Sequence, residues 1–130
     1  MKKLLIHGVV AGLLAGIAGI IYLNIYKEAF GVDYSQIINV GAILGSSLIG
    51  CMLMTLGYAA LEKFNKQHLQ GWLNLLIVGL SFASIIGPIG MSLPLDIEFP
   101  ELFPGLVVPM HFFPALAFLS IYPFFNQTKF

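Results

Sequence analysis

Four long apolar runs, separated by short polar stretches, are the feature that most constrains how this chain can fold. A helix that spans the hydrocarbon core of a bilayer needs about 20 predominantly apolar residues. It suits that medium because it satisfies its own backbone hydrogen bonds. Each of the four runs meets the length requirement. They predict transmembrane helices at about 4–26, 36–62, 70–91 and 103–124.

The composition favours a membrane protein over a soluble domain. The chain is 58% hydrophobic and 9% charged, with a mean hydropathy of +0.93, whereas soluble domains carry about 25% charged residues. The net charge is zero and arginine is absent, so binding to nucleic acid has no electrostatic basis. The single cysteine, Cys51, excludes an intrachain disulfide and a CxxC motif. We expect one transmembrane domain over residues 1–130, with the lipid bilayer as its first partner.

The lysines predict the orientation of the helices. If the runs cross alternately, only Lys27 falls on one side of the membrane, and five lysines fall on the other: Lys2, Lys3, Lys63, Lys66 and Lys129. The positive-inside rule then places both termini and the second loop in the cytoplasm. The predicted fold class is therefore all-α: a polytopic membrane protein with four transmembrane helices in an up-down bundle, N-in and C-in.

Regularly spaced glycines predict close packing between helices. Gly8, Gly12 and Gly16 are four residues apart and share one face of the first helix. Gly41 and Gly45 repeat the spacing in the second helix. Such faces let another helix approach closely, so that dispersion contacts hold the pair together in lipid. A narrow pore lined by backbone is the functional alternative.

His111 is the one ionisable residue within the fourth run. An ionisable group is costly in lipid, so we expect the ring to face the bundle interior or water. The alternatives are a proton relay, a metal or ligand contact, and a hydrogen-bonded interior histidine. The predicted intramembrane polar site comprises His111, Asn24, Asn39 and Ser84.

Two prolines flank this histidine and predict a kink in the fourth helix. Pro109 and Pro114 lack the backbone N–H groups that would bond the carbonyls of Gly105 and Met110. Neighbouring helices, side chains or water must then supply donors to these carbonyls.

The loop at 92–102 is the most acidic part of the chain. Asp96, Glu98 and Glu101 are weak candidates for a divalent cation site, because three carboxylates fall short of the oxygen ligands that such ions take. A solvated acidic surface is the other interpretation. We predict no other metal site, no cofactor and no enzymatic activity, since no HExxH, GxSxG or P-loop motif occurs.

The sequence LPLDIEFPELFPGLVVPMHFFPAL at 93–116 and the glycine-striped first helix resemble those of small four-helix bacterial membrane proteins of the Bacteroidota type. The resemblance implies a bacterial inner-membrane location and no particular activity. The first helix lacks the membrane-embedded glutamate of the small multidrug exporters. The chain also lacks the arginine-containing signature of the small dual-topology fluoride channels.

Two functions follow as expectations. The first is an accessory or assembly subunit that binds other membrane proteins, or a second copy of itself, through glycine-striped helix faces and the acidic outer loop. The second is a small transporter or channel for protons, cations or a small neutral solute, organised around His111 and the kinked fourth helix.

Overall fold

The computed structural model describes residues 1–126, and this part of the chain is helical with no strand. Its α-helices are α1 (Lys2–Phe30), α2 (Val40–Lys63), α3 (Gln70–Ser84), α4 (Ile86–Gly90), α5 (Phe103–Met110) and α6 (Phe113–Phe125). Short 3-10 turns, Gln67–Leu69 and Pro100–Leu102, precede α3 and α5. Lys129 and the rest of the predicted polar tail after Asn126 lie outside the described residues.

The prediction of four long apolar helices is confirmed. Two of these segments are α1 and α2 themselves. The other two are Gln67–Gly90, here called the third segment, and Pro100–Phe125, the fourth segment. All four are long and apolar enough to cross a membrane.

The ends of α1 and α2 differ from the predicted boundaries because of local capping. α1 continues to Phe30 and ends at Gly31, whose φ of 67° is the left-handed conformation that glycine adopts readily. α2 begins at Val40 rather than 36, since the Asn39 side chain accepts a 2.8 Å hydrogen bond from the Ala42 backbone N–H. That bond satisfies one of the donors left free at a helix start.

The glycine face of α1 lies directly against α2. A Cβ atom added to Gly12 would lie 2.9 Å from the Leu48 Cα, closer than real contacts allow. The face is formed by Gly8, Gly12 and Gly16, all buried, and their partners on α2 are, in the same order, Thr55, Leu48 and Leu44. The partner numbers fall as the glycine numbers rise, so α1 and α2 run in opposite directions.

The second pair of glycines has no such contact. A Cβ on Gly45 would meet nothing within 4 Å, and a Cβ on Gly41 would meet only the side chain of Asn39. Within one chain, Gly41 and Gly45 therefore pack against no other helix among the described residues, and their packing against a partner stays a prediction. α1 crosses α2 along the side that carries Leu44 and Leu48, and the face of the two glycines stays open.

The third segment lies at the edge of the bundle. Only 11% of its most apolar stretch is buried, compared with 44% in α1. Instead of one helix over 70–91, the segment contains two, with a break at Ile85. Its exposed large side chains are Trp72, Leu75, Leu76, Leu80, Phe82, Ile86 and Ile89. The core therefore lies mainly between α1, α2 and the fourth segment.

The glycine contact predicts how two matched substitutions will differ. Gly12→Leu should lower the thermal stability of the protein in detergent, because overpacking a tight contact costs at least about 1–3 kcal/mol. Gly45→Leu should leave the unfolding temperature unchanged or raise it, since the added side chain meets open space and leucine favours helix over glycine. Circular dichroism melting and gel filtration would measure both effects. Equal behaviour of the two variants would show that the contact between α1 and α2 is not close.

Candidate functional site

The fourth segment is interrupted at His111 and Phe112, between the end of α5 and the start of α6. Pro109 precedes the break and Pro114 follows it. Neither proline has a backbone N–H to give to the preceding turn. The break therefore coincides with the region where the helix lacks its usual donors.

Three tyrosine hydroxyls hold the first half of the fourth segment against α1 and the loop that follows α1. Tyr22, Tyr26 and Tyr34 donate hydrogen bonds of 2.9, 2.7 and 2.6 Å. The acceptors are, in that order, the backbone carbonyls of Gly105, Leu102 and Phe99. The Tyr22 bond supplies Gly105 with the donor that Pro109 lacks. The sequence predicted the need for a donor at this carbonyl, and the structure identifies the residue.

His111 is half-buried, and its Nδ1 atom lies 2.8 Å from the carbonyl oxygen of Val107. A carbonyl can only accept, so we assign the ring hydrogen to Nδ1, and Nε2 is then an acceptor in the neutral ring. Nε2 has no hydrogen-bond partner among residues 1–126. The ring can therefore accept a hydrogen bond from a bound group.

His111 stands where two cavities meet. The first lies between α1, α2 and the fourth segment and reaches Ser84 of the third segment, and the second lies between α2, the third segment and the fourth segment. One, of about 300 Å³, has a wall that includes Ser46, Ser47 and Ser84, and we call it the polar lobe. The other, of about 480 Å³, is the apolar lobe and is lined largely by Leu53, Met54, Leu73, Leu76, Ile77 and Leu80. Both lobes share Gly50, Ser84, His111 and Pro114. Together the lobes form one mainly apolar cleft, and the polar lobe takes its name from the serine side chains in its wall.

The predicted neighbours of His111 divide into one that shares its cleft and two that do not. Ser84 lines both lobes. Asn24 instead donates a 3.0 Å bond to the carbonyl of Ile20 in its own helix, and Asn39 caps α2. The prediction that Asn24 and Asn39 face His111 is wrong, because short polar side chains readily bond nearby backbone.

The serines of α2 are cleft residues that sequence reasoning did not assign to the site. Ser46 and Ser47 line the polar lobe with His111. Their signal was present as two adjacent hydroxyls within an apolar run. That signal is weak, because a serine within a helix commonly bonds the carbonyl one turn earlier.

His7 is a fully buried histidine that the sequence did not assign to a site. Its side chain is 0% exposed, and Nε2 lies 2.8 Å from the carbonyl oxygen of Phe118. The ring packs against Phe118 and Phe125 at centroid distances of 4.1 and 5.3 Å. Nδ1 is buried and has no partner among the described residues. No local pattern predicts this site, since the partner is 111 residues away.

Next to His7, two tyrosines tie one end of the third segment to its neighbours. The Tyr58 hydroxyl donates to Asn74 Oδ1, and the Tyr122 hydroxyl donates to Gln70 Oε1 at 3.1 Å. The two tyrosine rings lie 4.8 Å apart. These bonds attach the start of α3 to α2 and α6.

The acidic loop does not assemble a cation site. Asp96, Glu98 and Glu101 are exposed, while Ile97 between them is buried. Within residues 1–126, no group of three or more histidine, cysteine or acidic side chains is placed to hold a metal ion. The weak metal prediction for these three carboxylates is therefore wrong, and the loop presents an acidic surface.

An ion pair fixes the other loop on this side of the bundle. Lys27 Nζ lies 2.6 Å from Asp33 Oδ2, and both side chains are about half exposed. The hydrogen bond from Lys27, together with bonds from Ser35, lowers the pKa of Asp33 to about 2. Asp33 therefore stays ionised at neutral pH and offsets the charge of Lys27.

Comparisons with protein-family models, with curated proteins and with solved structures find no match. The resemblance to small four-helix bacterial membrane proteins stays a prediction. The functional argument below rests on the geometry of the helices and the cleft.

The bond between Tyr22 and Gly105 can be tested with a double-mutant cycle. Tyr22→Phe should destabilise the protein by about 0.5–1.5 kcal/mol, the net contribution of one hydrogen bond, because the Gly105 carbonyl loses its side-chain donor. In a Pro109→Ala background the new backbone N–H can bond that carbonyl, so the same substitution should cost less. The free energy of unfolding of all four proteins in detergent would give the coupling.

Tyr26→Phe is the matched control, since its hydroxyl bonds Leu102 rather than Gly105. Its cost should be the same with proline or alanine at position 109. If the costs of Tyr22→Phe and Pro109→Ala are simply additive, the hydroxyl does not replace the missing N–H.

Proposed function

We propose that this is a multi-pass protein of a bacterial inner membrane, with its four segments in an up-down bundle and both termini in the cytoplasm. The length and hydropathy of the four segments support membrane insertion. The opposed directions of α1 and α2 fit an up-down arrangement. The uneven distribution of lysines supports the orientation.

Cysteine labelling tests the orientation. A membrane-impermeant maleimide should label Glu98→Cys in intact cells stripped of their outer membrane. It should label Asn65→Cys only after the inner membrane is opened. Both positions are exposed and the natural Cys51 is fully buried, so the reagent should report the new thiols. The opposite pattern would reverse the orientation.

Within the membrane, we propose an accessory or assembly role in which the third segment binds a helix of another membrane protein or of a second copy. The observation that carries this proposal is the small share of the third segment that is buried within the chain. A Cβ would meet nothing within 4 Å at any of its four glycines, Gly71, Gly79, Gly87 and Gly90. Another helix can therefore approach its backbone closely, which favours association in lipid.

The structure changes which surfaces can serve this role. The Gly8, Gly12 and Gly16 face is already used by α2. The third segment and the face at Gly41 and Gly45 remain open to a partner. On the outer side, the carboxylates of the acidic loop add a surface for a basic partner, because opposite charges speed and orient association.

A small transporter or channel is the second candidate function, favoured by the helix break at His111. Discontinuous helices often form solute and ion sites in transporters. Here the break stands beside a cleft that contains Ser47, Ser84 and the free acceptor of the His111 ring. The candidate solutes are protons, cations or a small neutral molecule.

Photocrosslinking in native membranes tests the accessory role. A benzophenone amino acid at Leu75, exposed on the third segment, should give protein adducts larger than the monomer. The same group at Ile17, exposed on α1, is the control and should give none. An adduct of twice the monomer mass would identify a second copy as the partner.

Reconstitution of the purified protein separates the two functions. An accessory subunit should show no solute or proton flux in proteoliposomes. The transporter would be favoured if His111→Ala abolished a flux that the control variant Ile17→Ala retained. In the photocrosslinking experiment, equal adduct formation at Leu75 and Ile17 would contradict the accessory role.

A further inference from the structure

Ser47 is a buried residue whose hydroxyl has no assigned partner. The residue is 6% exposed, and no other described residue makes a hydrogen bond with its Oγ atom. Ser46 and Ser84, which line the same lobe, each donate to a backbone carbonyl of their own helix, Ile43 and Ser81 respectively. The Oγ atom is not one of the fully buried side-chain atoms that lack a partner, and Ser47 lines the polar lobe. The Ser47 hydroxyl is therefore available to a group in the polar lobe.

His111 supplies the complementary function at the same lobe. Its Nδ1–H is used by the Val107 carbonyl, and its Nε2 is a free acceptor in the neutral ring. The Ser47 hydroxyl can donate as well as accept. A ligand hydroxyl can give its hydrogen to His111 and accept one from Ser47, whereas an ether or ester oxygen can only accept.

The rest of the cleft sets the charge and shape of the ligand. No charged residue lines either lobe among the described residues. A charged head group would therefore lose hydration without gaining a partner. The apolar lobe, of about 480 Å³, offers aliphatic walls to a hydrocarbon chain.

We propose that this cleft binds a neutral lipid alcohol, with its hydroxyl between Ser47 and His111 and its hydrocarbon chain in the apolar lobe. The proposal goes beyond the accessory role and rests on the proposed membrane insertion. Leu53, Leu76 and Leu80, at the rim of the apolar lobe, are 56–63% exposed. In a bilayer this rim opens toward the acyl chains, so the ligand can enter from the lipid phase.

Three probes with the same hydrocarbon chain test the head group. Purified protein in detergent is incubated with oleyl alcohol, with its methyl ether or with oleate, and the bound probe is measured by native mass spectrometry. Oleyl alcohol should bind about tenfold more tightly than the ether, as expected for the loss of one good hydrogen bond. Oleate at neutral pH should also bind more weakly than the alcohol.

Matched variants test the location. Leu76→Trp fills the apolar lobe and should abolish binding, while Leu75→Trp alters an adjacent exposed residue outside the cleft and should leave it unchanged. Ser47→Ala should weaken binding of the alcohol and of the ether alike, about tenfold each, because either oxygen can accept a hydrogen bond from Ser47. The preference for the alcohol over the ether, which depends on His111, should stay close to about tenfold in this variant. Ser47→Ala removes no hydrogen bond found within the described chain, so its unfolding temperature should stay close to that of the wild type.

Equal binding of the alcohol and the ether, or unchanged binding in Leu76→Trp, would overturn the proposal. Alkaline extraction of native membranes separates this failure from failure of the proposed insertion. If extraction releases the wild-type protein, the proposed membrane insertion is wrong, and so is the proposed entry of the ligand from the lipid phase. If the protein stays in the membrane and oleyl alcohol does not bind, the lipid-alcohol proposal alone is wrong.

Discussion

The close contact between α1 and α2 is the interaction on which the other helices depend. Three glycines bring the backbone of α1 against Leu48 and its neighbours on α2, a separation that any side chain at those positions would prevent. With that face occupied, the other residues of α1 are free to meet the fourth segment. His7 reaches Phe118 near one end of α1, and Tyr22 and Tyr26 reach the fourth segment near the other. α1 therefore positions both halves of the interrupted helix.

The interruption of the fourth segment leaves a backbone carbonyl without its usual donor, and a residue of α1 supplies one. A carbonyl without a donor costs several kcal/mol in hydrocarbon. Tyr22 gives the Gly105 carbonyl a donor in place of the N–H that Pro109 lacks, so the proline is tolerated close to the break. The break places His111 at the junction of the two lobes rather than within a continuous helical surface. The position of His111 thus depends on the prolines of the fourth segment and on a tyrosine that lies 83 residues before the carbonyl it bonds.

The sequence allowed prediction of features that depend on local pattern. Run length and hydropathy predicted four long apolar helices, and the spacing of Gly8, Gly12 and Gly16 defined a single face. Spacing alone does not determine which helix packs against such a face. Gly41 and Gly45 have the same spacing as the α1 glycines, yet they contact no other helix within the described part of the chain. Asn24 and Asn39 were assigned to the histidine by estimated depth, although each can bond backbone close to its own position. Whether Ser47 faces the cleft depends on the rotation of α2 about its axis. The burial of His7 depends on a contact with Phe118, 111 residues away. Neither feature can be predicted from the neighbouring sequence.

The third segment connects the two functional proposals. Bonds from Tyr58 and Tyr122 attach its start, and farther along Phe82 packs against Phe112 at a centroid distance of 4.8 Å. Between these contacts Ile77 packs in the buried core, whereas Leu76 and Leu80 line the apolar lobe and stay exposed. Successive residues of a helix point about 100° apart, so Leu76 faces the lobe while Leu75 faces away from it. One side of the segment can therefore cover a lipid alcohol while another side binds a partner helix.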